Sequence, residues 1–102
     1  MINNVSVHIE YKVKSTDTYR YEMIMENVLD LLTEFGAKKV QWFVSSRENN
    51  VYIEKFELPT ESHYYALKRL RVSNERITFS ELNQCLEGGI QNISFWALKK
   101  CS

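Results

Sequence analysis

The chain is poor in the residues that punctuate and cross-link small folds, with 3 glycines, 1 proline and 2 cysteines among 102 residues. So few glycines leave no glycine-rich loop to cradle a phosphate, and Gly88-Gly89 follows a helical segment instead of opening one. Cys85 and Cys101 make no disulfide framework, and neither has a CxxC partner or a flanking histidine. A buried Cys85 and an incidental Cys101, both reduced, are the expectation. Net charge is also missing, since 13 basic and 13 acidic residues cancel. That balance removes the electrostatic footprint for nucleic acid or an anionic membrane surface. No stretch approaches the roughly 20 apolar residues that span a bilayer. Residues Met1 to Ser6 carry neither the basic region nor the apolar run of a signal peptide. These absences predict a cytoplasmic protein with no nucleic-acid and no membrane partner. In that compartment the triplets Asn4-Val5-Ser6 and Asn92-Ile93-Ser94 do not act as glycosylation sites.

What the chain does have is patterning. The segment Val5 to Lys14 alternates apolar and polar residues without a break, as a strand with one buried and one polar face requires. Val5, Val7, Ile9, Tyr11 and Val13 form the buried side; Ser6, His8, Glu10 and Lys12 form the other. Ser15 to Thr18 supplies side chains able to cap a helix, and Tyr21, Ile24, Met25, Val28, Leu31, Leu32 and Phe35 then recur at helical spacing. Gly36 sits where that helix should stop. Val40 to Val44 reads as a strand apolar on both faces, Ser45 to Asn50 as a hairpin loop, and Val51 to Phe56 as the returning strand. Pro59 ends it, and Thr60 caps a second helix running from about Glu61 to Val72, with boundaries good to ~3 residues. A shorter third helix begins at Thr78 with Phe79, Leu82 and Leu86 on one face, and Gly88-Gly89 stops it. Ile93 to Lys99 is the last strand, with Ile93, Phe95 and Ala97 on one side and Trp96 and Leu98 on the other.

This order predicts one α+β domain over residues 1–102, the ferredoxin-like βαββαβ plan with helices on one face of a four-stranded antiparallel sheet. Right-handed crossovers place the first and third strands in the middle. Under the helices we expect the apolar face of the first strand, with Val51 and Ile53 beside it. On the far face we expect His8, Glu10, Tyr52, Glu54 and Phe56, together with Phe43 or Trp42, Trp96 and Leu98. So apolar a face marks an interface, and a two-fold homodimer with the two sheets face to face is the economical solution. The alternative is a monomer whose far face is covered by the third helix or the tail.

Tyr52-Ile53-Glu54-Lys55-Phe56-Glu57-Leu58-Pro59-Thr60-Glu61-Ser62-His63 resembles the dimeric α+β barrel superfamily, whose members include antibiotic-biosynthesis monooxygenases and haem-degrading relatives. Those proteins commonly end a strand in an aromatic–Glu pattern and follow it with a helix that carries a histidine. The resemblance implies the fold and dimerisation, and, if the chain is catalytic, proton abstraction or oxygen insertion on an apolar substrate. In the haem-degrading relatives the helix histidine ligates iron with help from an asparagine on the first strand and a tryptophan. Residues 5 to 14 contain no asparagine, so a surface or cap role is expected of His63.

The candidates for proton transfer are His8, Glu10 and Glu54, since a carboxylate beside an imidazole in a partly dry chamber makes such a pair. The plainer reading is a solvated polar face with a cross-strand ion pair, and it is the default. Tyr52, Phe43 and Trp96, with Trp42, could wall a pocket for a small apolar molecule, or simply pack a core and a dimer interface. No cofactor and no metal are called for by these residues. Lys68, Arg69, Arg71 and Arg76 read as a solvated basic cluster offset by Glu61 and Glu75. Two functions follow: a noncatalytic or ligand-binding homodimer, which the thin catalytic constellation favours, and a cofactor-independent monooxygenase-like or proton-transfer enzyme.

Overall fold

In a computed structural model, which describes residues 4–101, the alternating segment forms β1, Val5–Lys12, and its inward side chains are essentially sealed from solvent. Met1 to Asn3, part of the segment read for a leader, lie outside the described residues, as does Ser102. The elements that follow are α1 (Thr18–Glu34), β2 (Lys38–Val44), β3 (Val51–Leu58), α2 (Glu61–Val72), α3 (Ile77–Gln84) and β4 (Ser94–Lys99). The sheet order is β2-β3-β1-β4, and every pairing is antiparallel. This is the expected βαββαβ plan with β1 and β3 central.

Each helix has an identifiable start or stop. A 3₁₀ turn over Ser15–Asp17 leads into α1, and no side chain caps it, contrary to the capping expected there. Gly36 ends α1 at φ +93°, a left-handed geometry that glycine adopts without strain. Thr60 does cap α2, its Oγ1 accepting from the His63 backbone N–H at 3.2 Å. α1, α2 and α3 bury one stripe each in a common core with β1 and β3: Tyr21, Met25, Val28 and Leu32 from α1, Tyr64 and Leu67 from α2, Phe79 and Leu82 from α3. The chain after α3 is stitched to the end of β1, with Lys14 N donating to Cys85 O and Glu87 N to Lys12 O, both at 2.8 Å. Cys85 is buried and Cys101 exposed, both free thiols. No helix among the described residues is long and apolar enough to cross a membrane.

The third helix therefore does not cover the far face. Phe43, Trp96 and Leu98 stand 45%, 46% and 56% exposed there. The rows across that face follow from the register. Phe43, Ile53, Glu10 and Ser94 make one row; Gln41, Lys55, His8 and Trp96 make the next. The far face is thus mixed, with Phe43, Ile53, Trp96 and Leu98 set among Gln41, Lys55, His8, Glu10 and Ser94.

A second expectation fails, and it concerns β3. Glu54 lies opposite Ile9, Phe56 opposite Val7 and Tyr52 opposite Tyr11, so all three belong to the helix-covered face, because directly paired residues share a face. Val51 and Ile53 lie on the far face instead. β3 has apolar residues at both parities, so alternation could not choose between them, and a carboxylate looked like an outward residue. In β2 a bulge between Lys38 and Gln41, with Lys39 at φ 55°, shifts the strand by one residue. Beyond it Trp42 pairs with Glu54 and points inward, while Phe43 pairs with Ile53 and points outward.

The α2 cap gives a direct check. Thr60→Ala should lower stability by about 1 kcal/mol in urea denaturation, and Thr60→Ser should retain most of it.

Candidate functional site

Glu54 is fully buried, and what makes that tolerable is Arg71, which is fully buried as well. On α2, Tyr64, Leu67 and Arg71 follow one another at spacings of three and four, so Arg71 continues the helix's buried stripe. Its guanidinium meets the carboxylate end-on, Nη1 donating to Oε1 and Nη2 to Oε2, each at 2.7 Å. This bidentate fork is the geometry in which Arg recognises a carboxylate best. The guanidinium also lies 5.1 Å from the Phe79 ring centroid, and Asn83 Nδ2 donates to the Arg71 carbonyl at 2.7 Å, closing one of the open carbonyls at the end of α2. Arg71 is thus not part of a solvated basic cluster.

From Glu54 a chain of hydrogen bonds runs to the edge of the sheet. Tyr11 Oη donates to Glu54 Oε2 at 2.5 Å, and Tyr11 and Tyr21 hydroxyls lie 2.7 Å apart. A phenol has one proton. Tyr11 spends its proton on the carboxylate, so Tyr21 must donate to Tyr11. Trp42 Nε1 then donates to Tyr21 Oη at 2.8 Å. The direction of every bond is set by the carboxylate at one end and the indole N–H, which can only donate, at the other. Burial pushes the Tyr11 hydroxyl well above the usual phenol range, and the Glu54 charge adds to it. Burial raises Tyr21 too. For Arg71, burial acts to lower the pKa, but the Glu54 carboxylate outweighs it and the net direction is up.

The indole at the end of this chain forms a wall of a groove. Glu22, Trp42, Phe43, Val44 and Tyr52 line a hollow of about 330 Å³ over the outer edge of β2, near the lower end of the range for ligand sites. Trp42 and Tyr52 rings lie within 24° of parallel with centroids 6.2 Å apart, and Tyr52 packs on Tyr21 at 4.4 Å. The walls are therefore held from behind.

The proposed proton-transfer trio is not brought together. His8 and Glu10 share the far face, while Glu54 sits on the opposite side of the sheet, engaged by Arg71 and Tyr11. Of the aromatic trio, Tyr52 and Phe43 meet at the groove and Trp96 stands on the β4 edge across the sheet. His63 is exposed and its Nδ1 lies 2.7 Å from Thr60 Oγ1, at the start of α2. Sequence reasoning missed Arg71, Tyr11 and Tyr21 as members of a polar network; the spacing of Tyr64, Leu67 and Arg71 was the available signal.

No family model matches the chain, and no curated protein matches it in sequence. Solved structures do match in shape. One is a Caulobacter crescentus protein provisionally assigned as an antibiotic biosynthesis monooxygenase, 13% identical, covering 99% of this chain and 92% of its own, with a TM-score of 0.75. A NIPSNAP family protein from Agrobacterium tumefaciens is 9% identical, covers 99% and 89%, and has a TM-score of 0.73. A conserved protein from Methanosarcina mazei is 15% identical, covers 98% and 95%, and has a TM-score of 0.71. The chain has the subunit fold of the dimeric α+β barrels. At these identities the likeness carries the fold alone. Within this fold the buried network and the groove share the helix-covered side, and the far face is the open side of the sheet.

Two measurements check the network. Arg71→Met strands a buried carboxylate and should cost about 3–5 kcal/mol in chemical denaturation. Glu54→Leu combined with Arg71→Met should cost clearly less than the two single changes added; additivity would mean the two residues do not interact. The tyrosines give the second check. Tyr11 and Tyr21 have folded pKa values above the ordinary 10.0. Their contribution to stability is therefore complete below about pH 10 and is lost as pH rises towards the folded values. In an alkaline titration these 2 of the 6 tyrosines should develop phenolate absorbance only as the far-ultraviolet dichroism collapses; full ionisation before unfolding would contradict the buried network.

Proposed function

We propose that this chain is a small cytoplasmic homodimer, one ferredoxin-like domain per subunit, that binds a small apolar molecule and does no chemistry on it. The observation that carries the reading is the preformed aromatic groove. Trp42 is pinned by its hydrogen bond to Tyr21, and Tyr52 rests on the same ring. A ligand entering such a site loses little freedom of the protein on binding. Three neighbouring structures carry the name antibiotic biosynthesis monooxygenase, and an enzymatic reading would need a proton acceptor aimed at the bound molecule. His8 and Glu10 face away, and Glu54 is committed to Arg71 and Tyr11; Glu22 is the one carboxylate at the groove, and no His, Lys or Arg lines the hollow to form a proton-transfer pair with it, so the reading adopted is binding.

Dimerisation through the far face is supported by Phe43, Ile53, Trp96 and Leu98, which share that face with His8, Glu10 and Lys55. Burial of such residues against a two-fold copy is what makes an isologous interface stable. A reducing compartment is supported by two free thiols, Cys85 and Cys101.

Native mass spectrometry of gently purified protein tests both parts. The expected species is a dimer, at twice the chain's 12.1 kDa, with a reproducible small-molecule adduct. Trp96→Glu should shift the population to monomer while the dichroism spectrum stays folded. Val44→Arg alters an exposed groove residue outside the core and should abolish the adduct without changing subunit number. A wild-type monomer would overturn the interface, and an adduct that survives Val44→Arg would overturn the groove.

A further inference from the structure

The groove at the β2 edge holds one charge, and that charge is negative. Of its five lining residues, three are aromatic, with Trp42 and Tyr52 on the helix-covered face and Phe43 at the strand edge with its side chain towards the far face; one is aliphatic, and Glu22 on α1 is the single ionisable acid or base besides the Tyr52 phenol. No Lys, Arg or His lines the hollow, and Glu22 forms no salt bridge among the described residues. Its carboxylate lies at the aromatic wall: after burial, the Glu22 charge is the next cause that raises the Tyr52 hydroxyl's pKa. The hollow at the hairpin end of the far face makes a contrast. There Arg47 stands with Glu10 and Glu48, so a cation already accompanies the carboxylates, and no aromatic ring takes part.

An aromatic face carries the negative part of the ring quadrupole, and it attracts a cation within about 6 Å of its centroid. Trp42 and Tyr52 present such surfaces on the helix-covered side, and a carboxylate beside them adds a full negative charge of the same sign. An anionic head would be repelled by both. A neutral apolar molecule would gain only contact area. A cationic head with an apolar body gains the contact, the ring attraction and the carboxylate together. Because the head is weakly hydrated when alkylated, it also loses little on leaving water.

We propose that the groove recognises an organic cation with an apolar body, a quaternary or alkylated ammonium compound, with Trp42 and Tyr52 as the ring walls and Glu22 as the counter-charge. This deepens the reading of the groove as a binding site and rests on it.

Three probes of one shape separate the charge from the contact: choline, its neutral isostere 3,3-dimethylbutan-1-ol, and the anion 3,3-dimethylbutyrate. Binding is followed by NMR on the Trp42 indole N–H, identified with Trp96→Phe, in full-length protein at low salt. Choline should bind about three- to tenfold tighter than the alcohol, the scale expected of a partly exposed cation–π site with a nearby carboxylate, and the anion should bind weakest. Glu22→Gln should bring choline down towards the alcohol and leave the alcohol unchanged. If the alcohol or the anion binds as well as choline, or Glu22→Gln leaves the preference intact, the cation assignment is overturned while the groove stands. If none of the three moves the Trp42 resonance, the groove itself is not a site for molecules of this kind and the proposal falls with it.

Discussion

The bidentate contact between Glu54 and Arg71 is the constraint on which the rest of this structure depends. Each ion alone would cost several kcal/mol to bury, and the pair is tolerable because two 2.7 Å bonds and a third from Tyr11 replace the lost water. The pair joins the middle of β3 to the last turn of α2. It also fixes the register of β3, because a slip of one residue would carry Glu54 to the far face and leave a guanidinium alone in the core. Breaking the pair therefore disturbs strand, helix and sheet parity together.

From that anchor the polar network extends outward in one direction only. A carboxylate that accepts compels Tyr11 to donate, which compels Tyr21 to donate, which leaves Tyr21's oxygen open to the Trp42 indole. The orientation of a ring at the sheet edge is in this way set by a charge in the interior. Hydrogen bonds in series polarise one another in a medium of low dielectric, and the aromatic rings carrying them pack edge to face. The groove wall is stiff because it is the end of this chain. The two faces of the sheet consequently differ in kind: one is committed to a buried network that ends in a groove, the other is an open mixed surface.

Much of this was legible in the amino-acid order. The alternation from Val5 to Val13 gave β1 and its buried side, the 3.6-residue recurrence from Tyr21 to Leu32 gave α1, and Pro59-Thr60 marked the start of α2 to the residue. Phe95 and Ala97 against Trp96 and Leu98 were sorted to their correct faces. The site was less legible. Tyr52, Glu54 and Phe56 were placed on the wrong side of the sheet, because β3 has apolar residues at both parities and a lone glutamate looks solvated. Arg71 looks like surface charge when each residue is weighed by its own polarity, although its spacing from Tyr64 and Leu67 puts it on the buried stripe. Polarity by residue cannot show a charge whose partner lies 17 positions away.

By itself the sequence determined the order and type of the elements, the central places of β1 and β3, and the face of every strand with a single apolar parity. These follow from local periodicity and handedness, which each segment carries within its own few residues. Tertiary structure decided the parity of β3, the choice of Trp42 over Phe43 as the inward residue, and the assembly of Tyr11, Tyr21, Glu54 and Arg71 into one network. Those outcomes depend on a bulge in β2 and on whether a buried charge finds its counter-charge. Both are settled only when distant segments meet, because the energy of an ion depends on what surrounds it.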